Sequence, residues 1–412
     1  MITTNKRKII NDPVHGFLTI EDDIIYDIIS HPYFQRQRHI KQLGFSYLVY
    51  PGTEHSRFAH MLGALNLMGR ALDVLKVKGV DITPDEALGV KIAILLHDIG
   101  HGPFSHTSEC VLADVHHETL TRMFMQRLND QMDGQLTTAI QIFNDTYPKR
   151  FLHQLVSSQL DMDRLDYLNR DSFFAGVSEG IVGTDRIINM LNVDHDELVV
   201  DEKGIYSIEK FIISRRLMYW QVYLHKTVVA ADVLLLSILR RAKELLAAGE
   251  HLEGSNELLL FLSHNYKEAD FEQNSHLLEA YALMDDNDVM SAVKAWMLHS
   301  NDFILRTLCE HLVNRKLSHL RIANHPFGAD TVEELHHKAT VLYNLKPSES
   351  TYFVTTGVLE NHAYNFNDQE IIVKFKDGRC LDISEASDQL DRRFLEKTVT
   401  KYYVYYPREY KS

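Results

Sequence analysis

The chain has 412 residues, of which 45% are hydrophobic and 24% charged, and 43 basic against 57 acidic residues give a net charge of −14. These values are ordinary for a globular protein and exclude a disordered, collagen-like or fibrous chain. The acidic balance provides no global field for nucleic acid, so we expect neither nucleic acid nor a membrane as a partner. The 23 histidines stand out against three cysteines, and ten of them fall in the first 120 residues.

The cysteines and the start of the chain indicate the compartment. Cys110, Cys309 and Cys380 are odd in number, far apart and form no Cys-x-x-Cys pair, which argues against a disulfide framework or a thiolate zinc site. Residues 1–10 are polar and basic, and the most apolar stretch, 228–239, is short and interrupted by Asp232. We therefore predict a cytoplasmic protein.

Hydrophobic periodicity predicts mostly helix in the first part of the chain. A turn-rich segment at residues 11–16 precedes an apolar helical pattern over residues 24–29. Apolar residues then recur at helical spacing over residues 58–75, which places His60 early in a buried helix.

Further helices are predicted up to residue 248. Pro84, with two acidic residues behind it, marks the start of a helix that is apolar all round and ends at His97–Asp98, where Gly and Pro follow. Residues 151–168 show one more helical pattern, and residues 209–248 form one long helix or a kinked pair. Tyr219 and Trp220 on that segment are interpreted as core packing or an oligomer contact.

The pattern changes in the C-terminal part. Helical blocks are predicted at residues 277–284 and 289–313. Lys376-Asp377-Gly378 between apolar runs at 371–375 and 379–383 predicts a β-hairpin, and the aromatic run 402–406 predicts a strand. We therefore predict a mostly α fold, with a helical domain over residues 1–245 and a smaller α+β region over residues 246–412.

The candidate metal ligands are His60, His97, Asp98 and Asp163. Imidazole and carboxylate groups suit divalent metals, and two of each leave coordination positions open for water and substrate. Taken alone, His97 and Asp98 could simply cap a helix and pair with each other. A charged Asp after an apolar helix is costly without a partner, which favours the metal site.

The surrounding motifs resemble those of the HD-domain phosphohydrolases. More narrowly, they are similar to the deoxynucleoside triphosphate triphosphohydrolases, the dGTPase-like and sterile-alpha-motif HD-domain enzymes. The matching segments keep the family's order over about residues 8 to 235 and are Asn11–Gly16, Phe34–Arg38, Ile40–Gly44, Ser56–His60, His97–His106, Asp161–Tyr167, Arg170–Asp171 and Tyr223–Lys226. The resemblance implies an HD-domain helical bundle.

The resemblance also implies a role for each matching residue. His60, His97, Asp98 and Asp163 would ligate a divalent metal, with Mg, Mn, Fe, Zn and Ni left open. The phosphate side would carry His101, His106 and His117 as acid or electrostatic groups, with Glu109 orienting the catalytic histidine. The predicted substrate contacts are Arg57, Arg164, Arg215 and Lys226 to the triphosphate, Tyr167, Asp171 and Tyr223 to the sugar, and Gln42 and Leu43 where a 2′-hydroxyl would lie.

The family resemblance extends to regulation. A second nucleotide would bridge subunits near Lys8, Asn11, Gln35 and Arg38. Ser30 stands where a relative has an Asp that reads guanine, and a hydroxyl cannot accept two guanine N–H bonds as a carboxylate does, so guanine-specific activation is not expected. A homo-oligomer, dimer or tetramer, is expected.

Three hypotheses about function follow. The first is metal-dependent hydrolysis of deoxynucleoside triphosphates to deoxynucleoside and triphosphate by attack of metal-bound water on the α-phosphorus. The second is an HD phosphohydrolase for another nucleotide, such as a monophosphate, a cyclic nucleotide or an alarmone, and the third is a non-catalytic nucleotide-binding regulator. The complete ligand set argues against the third hypothesis. Gln42, Arg164, Tyr167 and Arg215 favour the first over the second.

Overall fold

The computed structural model describes residues 8–361, 364, 370–390, 392–396 and 398–408, with the side chains of His106, Cys110, Phe394 and Glu396 outside that description. The described part is mostly helical with three small sheets, which confirms the predicted fold class. The first sheet is an antiparallel hairpin of β1 (Lys8–Asp12) and β2 (Gly16–Ile20), whose turn coincides with the turn-rich segment of the sequence.

The central helices follow the hairpin. In chain order they are α1 (Asp23–Ser30), α2 (Pro32–Gln35), α3 (Arg57–Val77), α4 (Pro84–Leu96), α5 (Glu109–Leu112), α6 (His117–Gln131), α7 (Thr137–Phe143), α8 (Arg150–Val156), α9 (Met162–Ala175) and α10 (Thr184–Met190). α4 starts in a capping box of Thr83 and Glu86, as the prediction of a helix start at Pro84 requires. Most of α4 is buried, and α3 packs against both α4 and α9.

The single helical pattern predicted over residues 151–168 is wrong, because the chain forms two helices there. α8 ends at Val156, and α9 starts at Met162 with Asp161 as its N-cap. The Asp161 carboxylate accepts hydrogen bonds from the backbone N–H groups of Arg164 at 2.7 Å and Ser158 at 2.8 Å, so it satisfies donors on both sides of the break. This break places Asp163 in the first turn of α9.

The segment predicted as one long helix or a kinked pair is a kinked pair. After β3 (Leu191–Asp194) and β4 (Glu197–Asp201), α11 (Ile205–Met218) passes into a π-helical turn at Tyr219–Tyr223, and α12 (Lys226–Ala247) follows. No single helix of the described residues is long and apolar enough to cross a membrane, although the pair Glu202–Tyr223 and Lys226–Ala247, bent by 57°, meets that test jointly.

The C-terminal part mixes helices and strands. They are α13 (Asn256–Ser263), α14 (Glu268–Gln273), α15 (Ser275–Ala282), α16 (Asp286–His299), α17 (Phe303–Val313), β5 (His319–Ala323), α18 (Ala329–Tyr343), β6 (Thr355–Asn361), β7 (Ile372–Lys374), β8 (Cys380–Asp382), α19 (Ile383–Ala386), α20 (Arg392–Glu396) and β9 (Val399–Tyr406). The predicted hairpin is β7–β8, and the predicted aromatic strand lies in β9. The block predicted over residues 289–313 is two helices, because Asp302 caps α17.

The four-stranded sheet joins the two parts of the chain. It has the order β3-β4-β7-β8, with β4 and β7 parallel, and the three-stranded sheet has the order β5-β9-β6. Because β4 precedes residue 245 and β7 follows it, one sheet and one hydrophobic core contain residues from both sides. The boundary at residue 245 falls inside α12 and stays a prediction.

Candidate active site

The four predicted metal ligands lie together where α3, α4 and α9 meet. The Nε2 atoms of His60 and His97 are 3.4 Å apart, and the Asp163 Oδ1 atom lies 3.0 Å from the first and 3.4 Å from the second. Asp98 Oδ1 lies 3.5 Å from His97 Nε2. His60, His97 and Asp163 each present a ligand atom within 4.8 Å of the other two, close enough to share one ion, and Asp98 lies beside this group.

The two imidazoles form their outer hydrogen bonds through Nδ1, which leaves both Nε2 atoms facing the candidate metal site. His97 Nδ1 donates to the carbonyl of Ile94 at 2.7 Å, and His60 Nδ1 donates to Asp166 Oδ2 at 2.8 Å. With a metal bound, each ring would be neutral with Nδ1 protonated and would direct its Nε2 lone pair at the ion, beside the Asp163 carboxylate. Such a convergence of acceptors fits a bound cation.

Asp166 is a buried carboxylate that sequence reasoning left without a role. It accepts from Arg170 Nε at 2.8 Å and Nη2 at 3.0 Å, and its Oδ1 lies 2.5 Å from His15 Nε2. Burial raises the pKa of Asp166, but Arg170, His15 and His60 outweigh it and hold the pKa well below its usual range. The available sequence signal was spacing, since Asp166 lies three residues after Asp163 on one helix face.

The charges of the cluster favour a positive centre. Burial disfavours a charge on His60, but Asp163 and Asp166 outweigh it and raise the pKa of the ring to about 10. Burial likewise opposes ionisation of Asp163 and Asp98, yet His97 and His60 lower the pKa of Asp163, and Arg57 with His97 lowers that of Asp98. Both carboxylates are therefore anionic at neutral pH, as metal ligands must be.

Two stacked histidines lie beside Asp98. The rings of His101 and His117 stack with centroids 4.0 Å apart, and His101 Nε2 is 3.4 Å from Asp98 Oδ1. Burial and the charge of Arg57 hold the pKa of His101 well below its usual range, so this ring is neutral. Glu109 Oε1 lies 3.0 Å from His117 Nδ1 and accepts the backbone N–H of His117 at 2.6 Å, so the histidine that Glu109 orients is His117. The side chain of His106 lies outside the described residues.

A cavity of about 460 Å³ opens beside these groups, within the size range of ligand pockets. The predicted residues that line it are Gln42, Leu43, Arg57, Asp98, His101, His117, Asp163, Tyr167, Asp171 and Tyr223. Arg164 and Arg215 line a neighbouring space of about 240 Å³ that shares Asp163, Tyr167 and Tyr219 with it. Lys226 is exposed at the start of α12 and lines neither cavity.

Several cavity residues are held by hydrogen bonds. Arg57 donates through Nη1 to Asp98 and through Nε to Ser105 Oγ at 2.8 Å. The Tyr223 hydroxyl donates to Asp171 Oδ2 at 2.8 Å, and His55 Nε2 lies 2.8 Å from the other oxygen of that carboxylate. These contacts hold the Arg57 guanidinium and the Tyr223 hydroxyl in fixed orientations at the cavity wall.

The two arginines of the neighbouring space are also held by hydrogen bonds. Arg164 pairs with Asp161, and Arg215 Nη2 donates to Gln159 Oε1 at 3.2 Å. Within the described residues, the buried Oε1 atom of Gln42 has no hydrogen-bond partner, although this side chain lines the cavity. An acceptor in that position favours a ligand that carries a hydrogen-bond donor.

Tyr219 and Asp232 are polar cavity residues that sequence reasoning did not assign to the site. Tyr219, interpreted as core packing or an oligomer contact, lines both cavities, and the oligomer contact stays a prediction. Asp232 on α12 lines the larger cavity, where Thr107 Oγ1 donates to it at 2.9 Å and burial raises its pKa to about 7. Its signal in the sequence was a charge that interrupts the most apolar stretch.

The predicted regulatory residues occupy two places. Gln35 and Arg38 contact each other, with Arg38 Nε donating to Gln35 Oε1 at 2.8 Å, and Arg38 lies over the ring of Phe58. Lys8 and Asn11 lie on β1 of the hairpin. A nucleotide bound by these four residues stays a prediction.

Comparisons with known proteins give the family. Residues 57–170 match the model of the HD domain, and residues 182–258 match that of an HD associated region. The uncharacterized protein YwfO of Bacillus subtilis is 31% identical over 98% of this chain and 93% of its own length. The deoxynucleoside triphosphate triphosphohydrolase SAMHD1 homolog of Dictyostelium discoideum is 30% identical over 61% of this chain and 52% of its own length. The crystal structure of a phosphohydrolase from Bacteroides thetaiotaomicron superposes with a TM-score of 0.94 at 50% identity, covering 98% of this chain and 100% of that one.

Proposed function

The chain belongs to the HD-domain phosphohydrolases, and we propose that it hydrolyses deoxynucleoside triphosphates to deoxynucleoside and triphosphate. The observation that carries this proposal is the cavity, which Asp98, Asp163, Arg57 and the tyrosines Tyr167 and Tyr223 line together. With Arg164 and Arg215 in the neighbouring space, the site offers several fixed cations to a chain of phosphates.

His60, His97, Asp98 and Asp163 would hold a divalent metal, whose identity we leave open among Mg, Mn, Fe, Zn and Ni. Their nitrogen and oxygen donors suit such an ion, and the pairing of two imidazoles with two carboxylates leaves positions for water and substrate. When bound, a metal of this kind lowers the pKa of water toward neutrality and adds positive charge at the reacting phosphate.

Residues of the chain would stabilise the charge of the reacting phosphate and protonate the leaving oxygen. Water adds to the α-phosphorus and loses a proton to solvent, while the bond from that phosphorus to the 5′-oxygen breaks and its electron pair goes to the 5′-oxygen, so that the three phosphates are released as triphosphate. Arg57, buried and held by Ser105, stabilises charge on the α-phosphate oxygens. His117, oriented through Nδ1 by Glu109, would deliver the proton that the 5′-oxygen takes up as the deoxynucleoside forms.

The sugar side of the cavity supports a deoxyribose. The Asp171 carboxylate and the hydroxyls of Tyr167 and Tyr223 supply polar contacts for a sugar hydroxyl. Leu43 adds apolar surface beside Gln42, so a 2′-hydroxyl placed against it would lose hydration without gaining a partner.

The proposal is tested by the products. Metal-loaded protein is incubated with a panel of deoxynucleoside and ribonucleoside triphosphates, and the phosphates are resolved by ion chromatography. We expect triphosphate and deoxynucleoside in equal amounts, with the deoxynucleotides preferred. Monophosphate or diphosphate as the product would contradict the proposal, and no turnover with any of the five metals would favour a non-catalytic regulator.

A matched variant controls this assay. Asp98→Ala removes one metal ligand and the partner of Arg57, so we expect loss of bound metal and of turnover in a protein that stays folded. Retained metal content in Asp98→Ala would contradict the ligand assignment, whatever the products of the wild-type protein.

A further inference from the structure

Asp286, the first residue of α16, joins two loops that line the substrate cavity. Its Oδ2 accepts the backbone N–H of Lys41 at 2.9 Å, and its Oδ1 accepts that of Phe104 at 2.7 Å. The side chain is buried, with the residue 5% exposed. Residues 42–44, directly after Lys41, line the cavity, as do Phe104 and Ser105. One carboxylate therefore fixes the spacing between two parts of the cavity wall.

The second of these loops needs an external support. Phe104 and Ser105 both have a left-handed backbone, with φ of 53° and 49°. This conformation is unfavourable for residues with a side chain and persists only where the surroundings hold it. The Phe104 ring stacks on Phe45 with centroids 4.5 Å apart, and the Asp286 carboxylate holds the Phe104 N–H.

The supported loop holds a cation of the site. Ser105 Oγ accepts Arg57 Nε at 2.8 Å, and Arg57 in turn pairs with Asp98. A displacement of Ser105 would therefore shift Arg57 relative to Asp98. The path from Asp286 to the candidate metal centre consists of direct contacts throughout.

We propose that Asp286 is a positioning residue, through which the chain beyond the HD domain and its associated region sets the shape of the substrate cavity. The two family matches end at residue 258, so neither includes α16. The inference rests on the proposed function only in taking this cavity as the substrate site, and it holds for any phosphate ester bound there.

The decisive variant is Asp286→Asn. The amide keeps one acceptor oxygen and replaces the other with an NH₂ group, so one loop N–H loses its partner. We expect hydrogen-exchange protection of residues 41–44 or 102–105 to fall about tenfold, the effect of one charge-assisted hydrogen bond. The affinity for dATP, measured without divalent metal so that no turnover occurs, should fall by a similar factor.

Asp288→Asn is the matched control. Asp288 lies in the same first turn of α16 and accepts the backbone N–H of Asp285 at 2.9 Å. It therefore contributes to the helix start without holding either loop. We expect wild-type loop protection and nucleotide affinity in Asp288→Asn, and the same losses in both variants would show that destabilisation of α16 alone causes them, which would overturn the proposal.

If Asp286→Asn does not fold, Asp286→Glu tests the positioning role of Asp286 instead. It keeps both acceptor oxygens on a longer side chain, so we expect both loops to stay protected while dATP affinity falls several-fold. A folded Asp286 variant with unchanged nucleotide affinity would overturn the inference. Hydrogen exchange does not depend on turnover, so a failure of the proposed substrate assay is distinguishable from a failure of this inference.

Discussion

At the scale of single residues, the contacts of Asp166 lead to a prediction about metal affinity. Its carboxylate holds His60 Nδ1 and is itself held by Arg170. In Asp166→Asn the amide can present its NH₂ group to one of these donors, so His60 loses its fixed orientation. We expect metal affinity, measured by calorimetric titration, to fall about 10- to 100-fold.

The control for this prediction is Asp185→Asn, which removes an exposed carboxylate that pairs with Arg70. Metal affinity should be unchanged there, since an exposed ion pair contributes little. If a folded Asp166→Asn protein bound metal as tightly as the wild type, Asp166 would not support the ligand His60.

Glu109 carries a prediction about the chemical step. It orients His117 through Nδ1, so Glu109→Gln should lower kcat about 100-fold by weakening proton delivery, with little change in KM. The control is Glu118→Gln, which changes an exposed residue directly after His117 and should leave kcat unchanged. Steady-state kinetics that show a change only in KM would assign Glu109 to substrate binding instead.

Asp232 predicts a pH dependence. Burial raises its pKa from the ordinary 3.8 to about 7, so the neutral form predominates below pH 7 and the anion above it. A carboxylate anion in the cavity repels phosphates, and we therefore expect KM for the nucleotide to rise as the pH increases through about 7. The rise should be absent in Asp232→Asn, and an identical pH profile of KM in both proteins would contradict it.

At the scale of elements, the packing of α3 on α9 depends on Gly63. A Cβ atom at Gly63 would overlap the side chains of Asp166 and Arg170, whereas a Cβ atom at Gly69 on the same helix would meet nothing within 4 Å. Gly69→Ala should therefore stabilise the protein by about 0.5–1 kcal/mol through helix propensity. Gly63→Ala should destabilise it and weaken metal binding. Thermal unfolding and metal titration of the two variants test this, and equal effects would contradict it.

The helices and strands also show which elements a helical sequence pattern can predict and which it cannot. The sequence predicted α4 correctly, because an apolar run between a capping box and a Gly-Pro stop has few alternatives. It missed the break between α8 and α9, because Val156 and Leu160 keep a helical spacing of four residues across it, while the hydrogen bonds of Asp161 end one segment and start the next helix. It missed β5 and β6 because these strands are defined by their pairing with β9.

At the scale of the whole molecule, metal binding should couple to stability. The candidate ligands lie on α3, directly after α4 and on α9, so a metal that binds them only in the folded protein would stabilise all three helices. A free metal concentration of 100 times Kd would add about 2.7 kcal/mol to the free energy of unfolding. We expect added metal to raise the melting temperature of the wild type and not of His97→Ala. A similar rise in both would place the metal elsewhere.

What the sequence determined by itself was the class of fold and the chemistry of the ligands, because helical periodicity and the HD motifs are local. His60, His97, Asp98 and Asp163 could be named without coordinates. What only the tertiary structure decided was the support around them, namely Asp166 behind His60 and Asp286 behind the cavity loops. Such contacts join residues more than 100 positions apart, and a single sequence holds no record of which buried carboxylate meets which donor.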